Sequence, residues 1–253
     1  MAVEVEVSDD ASGLESGRGH RSAPLIPDFL WRWVGLLIAA LTAVVVAFAV
    51  LTKGDIGPRP FERRIIDELR YSSVPETVWK FGLALGAPAF FAVVVVALAV
   101  WAIARRSWPA LIACATVPGA VVLVEAIIKP LVDRRYALDS TLYYPSGTAA
   151  GVAAWTTLTW LLAVPVVRRT SLRVALAVAL AALTTLTALS VIAMDKHLPL
   201  DAVGGVATGM AVVLACASII DLVTHTHRRA GFGASSRRYS DGETPRNEPV
   251  SRG

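Results

Sequence analysis

Three short stretches hold residue types that could do chemistry: "KPLVDRRY" at 129–136, "PSGT" at 145–148 and "DKHLPLD" at 195–201. Together they suit transfer of a phosphoryl group. Its three oxygens carry spreading negative charge, so fixed cations and N–H donors must face them. Lys129, Arg134 and Arg135 are the candidate cations. Ser146, Gly147 and Thr148 are the candidate phosphate cradle. They place a hydroxyl and an unhindered backbone at a helix start, where unpaired N–H groups and the helix dipole favour an anion. A neutral imidazole can act as nucleophile, and His197 is the candidate. Asp201, four residues on, shares a helical face with it. There it could accept from one ring nitrogen and leave the other free to attack. Pro199 suits the first turn of the next helix.

Each piece has a plainer reading. Basic residues at a membrane edge usually meet lipid headgroups. Pro-Ser-Gly is often a turn into a helix cap. A lone histidine at an interface is more often hydrogen-bonded than catalytic. The conjunction of all three stretches at one membrane face, in this order, favours chemistry.

The elements that must position these residues are membrane helices. The chain has 253 residues, 55% of them hydrophobic and 17% charged, with a mean hydropathy of +0.58. These values exclude a disordered protein and an ordinary soluble domain. Six apolar segments approach the roughly 20 residues that a hydrocarbon core needs, at 30–51, 78–104, 108–128, 147–167, 172–194 and 200–223. The expected fold class is all-α, a six-transmembrane-helix bundle over residues 28–224. A flexible cytoplasmic tail is expected at 1–27 and a disordered basic tail at 225–253. No cleavable leader is expected, because the first apolar run starts late.

The fourth segment is the least apolar, but Thr156, Thr157 and Thr159 can bond back to helical carbonyls. Cys114 and Cys216 sit inside apolar runs and read as buried hydrophobes. The net charge of +4 implies no nucleic-acid partner, since Lys and Arg also set membrane topology. Arg32, Arg105, Arg106, Arg168, Arg169, Arg173, Arg228 and Arg229 fall on one side of alternating helices. By the positive-inside rule that side is cytoplasmic. The three chemistry-bearing stretches then face outward. Between the first two spans, "RPFERRIIDELRYSSVP" carries Phe61, Ile65, Ile66 and Leu69 at helical spacing after Pro60. It predicts an amphipathic helix at the interface, a lid over the bundle.

On these motifs the sequence resembles the type-2 phosphatidic acid phosphatase superfamily of membrane lipid phosphatases. That family carries a Lys with a downstream Arg-Pro, a Pro-Ser-Gly-His, and a Ser-Arg followed by His-x-x-x-Asp. They lie after the third helix, at the start of the fourth, and between the fifth and sixth. The similarity spans roughly 30–223. It implies that Lys129 and one of Arg134 and Arg135 are phosphate ligands, and that Ser146 and Gly147 form the cradle. His197 would be the nucleophile of a phosphohistidine intermediate and Asp201 its orienting partner. Gly204 and Gly205 would allow close helix packing. The family chemistry needs no cofactor and no metal.

The chain departs from the family pattern in two motifs. Thr148 stands where the second motif has its histidine general acid, and Val191 follows Ser190 where the third has an arginine. Tyr136 stands where the first-motif arginine would fall. A threonine hydroxyl cannot exchange protons near neutral pH as imidazole does. The expected substrate is therefore a membrane lipid with a good leaving group, a polyprenyl diphosphate before a phosphatidic acid. The alternative is a catalytically weak or inactive member that binds lipid phosphate or acts as a scaffold. Glu125, four residues before Lys129, reads as an i,i+4 partner that positions the lysine. A transporter is disfavoured: no internal repeat is visible, and Pro88 and Pro165 do not occupy corresponding halves.

Overall fold

Proline, glycine and charge set the ends of the helices. A computed structural model of the chain describes residues 24–135 and 141–240. Helix α1 runs Asp28–Thr52, α2 Pro60–Arg70, α3 Glu76–Ala84 and α4 Pro88–Ala104. Helices α5 (Trp108–Cys114) and α6 (Thr116–Leu123), a π-helical turn (Val124–Ile128) and α7 (Lys129–Val132) succeed one another almost without a break. Helices α8 (Gly147–Ala163), α9 (Thr170–Ala193) and α10 (Pro199–Ser240) complete the described residues. The chain is a multi-pass membrane protein. Helix α1, the rod Trp108–Val132, α9 and Pro199–Thr224 are each long and apolar enough to span, and α3 with α4 forms a bent fifth candidate. Helices α1, α4 and α9 leave Trp33, Leu36, Val93, Val96, Val174 and Val178 exposed, as lipid-facing spans do.

The span expected over 78–104 is broken, with α3 and α4 meeting at 49°. Ala87 is extended and Pro88 opens α4. Proline brings no N–H and disfavours helical backbone at the residue before it. Helix α8, in place of the expected 147–167 span, has 17 residues and is buried along most of its length. It is the hub of the bundle, flanked by α10, α9, α6 and α4. Small residues permit this. A Cβ at Gly205 would lie 2.3 Å from the Ser146 carbonyl oxygen, and one at Gly209 would lie 2.2 Å from that of Ala150. The backbones of α8 and α10 therefore approach more closely than any larger side chain would allow. Hydroxyls inside the bundle bond back as expected, Thr156 to the Val152 carbonyl at 2.8 Å and Thr159 to that of Trp155 at 2.7 Å. Thr156 also meets Thr184 of α9 at 2.9 Å.

Ordered elements reach into the segments expected as tails. The segment expected to be irregular from His225 onward is helical as far as Ser240, because no proline interrupts the chain between Pro199 and Pro245. At the other end Leu25 and Ile26 are buried. Their amides donate to the Asp221 carboxylate at 2.9 and 2.7 Å. The remainder of each tail lies outside the described residues. Amphipathic α2 lies over one end of the bundle. Ile66 and Leu69 face Val191, Ile192, Leu198 and Ala202, while Phe61 and Ile65 stay exposed.

Candidate active site

Beneath α2, the starts of α8 and α10 join. Ser146 caps α8 in extended conformation, its hydroxyl accepting the Ala149 amide at 3.3 Å. The Ser146 amide donates to the Asp201 carbonyl at 2.9 Å, so the first turn of α10 carries the first turn of α8. The remaining N–H groups of that α8 turn are the anion-attracting end of its dipole.

The π-helical turn delivers two charged side chains to this place. Lys129 Nζ lies 2.8 Å from each oxygen of Glu125, the i,i+4 pair expected from the sequence. A π turn inserts an extra residue into the helical ladder and rotates the residues after it, a distortion frequent at functional sites. Glu125 reaches the start of α8: a Cβ at Gly147 would lie 2.2 Å from Glu125 Oε1. The Lys129 side chain is 11% exposed and that of Glu125 49%, so the cation is enclosed and the carboxylate is open to an incoming molecule.

His197 sits in the short link between α9 and α10. Its amide donates to the Val191 carbonyl at 3.0 Å, and its ring packs edge-on against Tyr143, 5.6 Å between centroids. Burial, and then the positive charge of Lys129, lower its pKa from 6.5 to about 3, against a hydrogen bond to the Tyr143 backbone that acts the other way. Nδ1 is buried without a hydrogen-bond partner. The imidazole is thus neutral at physiological pH and keeps one nitrogen unpaired, within electrostatic reach of Lys129.

Asp201 does not orient that ring. One of its oxygens accepts from Arg134 at 2.6 Å and the other from the Leu198 amide at 3.0 Å. The second bond is half of a capping box: Leu198 precedes the Pro199 that opens α10, and Asp201 is the third residue of the helix. The His-x-x-x-Asp spacing therefore reads as a helix cap at this site. No hydrogen bond joins Asp201 to the His197 ring among the described residues. Arg134 needs the same correction. It is fully buried, its guanidinium between Asp201 and Glu62 of α2. Burial opposes its charge, but the two carboxylates outweigh that and hold it above its usual pKa range. Arg135 is half-exposed and turns to Asp133 at 2.9 Å. Tyr136 lies outside the described residues.

Thr148 turns its methyl group toward the α3–α4 break, where a Cβ at Gly86 would lie 2.3 Å from it. Ser190 packs on Gly82 of α3, and Val191 is fully buried beneath α2. Two structural residues are not evident from the motifs. Glu62 accepts the Arg59 amide at 3.0 Å, the Leu200 amide at 3.3 Å and Arg134. It thereby ties α2 to the start of α10. The signal lies in Arg59-Pro60-Phe61-Glu62, proline first and glutamate third in a helix. Tyr144 is fully buried against Gly204 and donates to the Val45 carbonyl at 2.6 Å. Burial, then the charge of Asp201, raises its phenol above the usual range.

The arrangement joins an enclosed ammonium, a capped helix start, an open carboxylate and a neutral imidazole with one unpaired nitrogen. No family model matches the chain, and no curated protein matches it in sequence. Among solved structures, the fold is similar to the crystal structure of a transmembrane PAP2-type phosphatidylglycerolphosphate phosphatase from Bacillus subtilis. The TM-score is 0.57 at 16% identity, over 74% of this chain and 94% of that one. The two share a fold.

Proposed function

We propose that this chain, sharing the fold of a PAP2-type phosphatase, is itself a membrane phosphatase that hydrolyses a lipid phosphate or diphosphate. The observation that carries this reading is His197: a buried, neutral imidazole with Nδ1 unpaired, against Tyr143 and within electrostatic reach of Lys129. In this mechanism the Lys129 ammonium, the Ser146 hydroxyl and the α8 amides hold the phosphoryl oxygens. His197 Nδ1 attacks phosphorus, the bond to the leaving oxygen breaks, and a phosphohistidine forms. Water then attacks phosphorus, the P–N bond breaks, and its electron pair returns to the ring. Asp201 is a positioning residue, acting through the Leu198 amide and Arg134.

A lipid diphosphate is the favoured substrate. It expels a lipid monophosphate, already a stable anion, and so asks little of Thr148. An apolar cavity of about 430 Å³ between α1, α8, α9 and α10, lined by Leu37, Trp160, Leu180 and Met210 among others, suits a hydrocarbon chain. It borders Thr156, ten residues along α8 from Ser146, which is about 15 Å at a helical rise. We assign the site to the outer face of the cell membrane on the arginine distribution, with both termini cytoplasmic. No cofactor takes part in this scheme. Purified protein should release phosphate from polyprenyl diphosphate, and His197→Ala should abolish both release and the acid-labile phosphoenzyme. Equal release by wild type and variant would overturn the reading.

One observation favours a second reading. The Thr148 methyl faces Gly86, so nothing at that position supplies the family's proton. A protein that binds lipid diphosphate without releasing phosphate would be a binding member of this fold.

A further inference from the structure

The family resemblance leaves one role vacant, the proton donor to the leaving oxygen, because Thr148 replaces the histidine. Resting on the phosphatase reading above, we propose that Glu125 fills this role. Three features point to it. First, its carboxylate already touches the α8 start at Gly147 and grips Lys129 at 2.8 Å, the same two features that would bind the phosphoryl group. A phosphoryl anion must therefore arrive beside it or displace it from the ammonium. Second, the side chain is half-exposed whereas its lysine partner is enclosed, so it can move without unfolding the turn that holds it. Third, the π-helical turn Val124–Ile128 begins one residue before it. The chain thus spends a helical distortion at this place.

The proton balance closes within the site. As His197 Nδ1 bonds to phosphorus, the phosphorus–leaving-oxygen bond breaks and its electron pair goes to that oxygen. Protonated Glu125 gives the oxygen its proton and becomes a carboxylate. In the second step water adds its oxygen to phosphorus and its proton to Glu125, while the P–N electron pair returns to His197. Phosphate leaves and Glu125 is protonated again. The proton for the first turnover comes from the P–OH of a monoanionic substrate, passed to the Glu125 carboxylate as the phosphoryl oxygens take over Lys129. With this donor the site handles lipid monophosphates, whose alkoxide needs a proton, as well as lipid diphosphates, whose phosphate leaving group does not.

The leaving group makes the inference testable. Full-length protein, wild type and Glu125→Gln, is mixed in detergent with ³²P-labelled phosphatidic acid or with β-³²P-labelled polyprenyl diphosphate, and the phosphohistidine is quenched and counted. Glutamine keeps the size and the hydrogen bond to Lys129 but carries no transferable proton. The variant should still form label from the diphosphate, losing far less rate there than with phosphatidic acid. Label formation from phosphatidic acid should fall by about 100-fold or more, the range for a lost general acid. Rates that fall equally with both substrates would mean that Glu125 only positions Lys129, and would overturn the proposal. So would rates that fall with neither. If wild type forms label from the diphosphate but not from phosphatidic acid, the phosphatase reading stands and this inference fails. If wild type forms no label from either, the phosphatase reading itself fails.

Discussion

A histidine that folding keeps neutral has consequences for pH. Burial and Lys129 hold the His197 pKa near 3 in the folded chain against 6.5 ordinarily. Between those values the unfolded chain binds a proton that the folded chain refuses. Stability contributed at this position is complete above about pH 6.5 and is lost as pH falls toward about 3. Thermal midpoints of the detergent-solubilised protein should therefore drop across that interval, and His197→Gln should remove part of the drop. The rate should show no acid limb near pH 6.5 from loss of the nucleophile, since the imidazole stays neutral there. A phosphoenzyme rate that halves near pH 6.5, with Glu125→Gln leaving that limb in place, would contradict the environment described for His197. At this scale the sequence is informative about residue type and misleading about partners. His197 and Lys129 are legible as an imidazole and a cation, and the fold brings them within electrostatic reach of each other. The His-x-x-x-Asp spacing suggests a ring-to-carboxylate bond, but Asp201 spends its oxygens on Arg134 and on the cap of α10. Spacing alone does not distinguish a side-chain partner from a capping box.

At the scale of elements, the site depends on how closely two helices approach. Gly205 lets α10 reach the Ser146 carbonyl, where a Cβ would lie 2.3 Å from the oxygen. That atom is backbone at the mouth of α8 and cannot swing aside. Gly205→Ala should cost about 1–3 kcal/mol, as overpacking does, and should lower activity more than stability because the displaced atoms form the start of α8, where the proposed cradle lies. A thermal melt and a kcat measurement on the same preparation check both parts. Gly204 and Gly205 are legible as packing residues. The break between α3 and α4 is not, although Pro88 is visible. A proline can open a new helix or kink an old one, and neighbouring segments decide between them. Here Gly86 receives Thr148 from α8.

For the whole molecule, the question is what fastens the bundle at the end away from the site. Asp221, midway along α10 and 1% exposed, accepts two amides of the segment before α1. An intramembrane carboxylate is costly unless satisfied, and these bonds satisfy it. Asp221→Ala leaves both amides unpaired. At about 1.5–3 kcal/mol for a hydrogen bond to a charged group, the loss should be about 3 kcal/mol or more. Limited proteolysis should then cut near residue 25 in the variant and not in the wild type, with phosphate release at low temperature little changed. Hydropathy and charge by themselves determined that this chain is a helical membrane protein, because the apolar length of a span is a local property. Only the tertiary structure decided which charged groups stand open at the start of α8 and which are consumed inside the fold. Arg134 is held between Asp201 and Glu62, out of reach of solvent, while Glu125 and Lys129 remain at the mouth of α8. That division depends on which distant segments meet, and no local pattern encodes it.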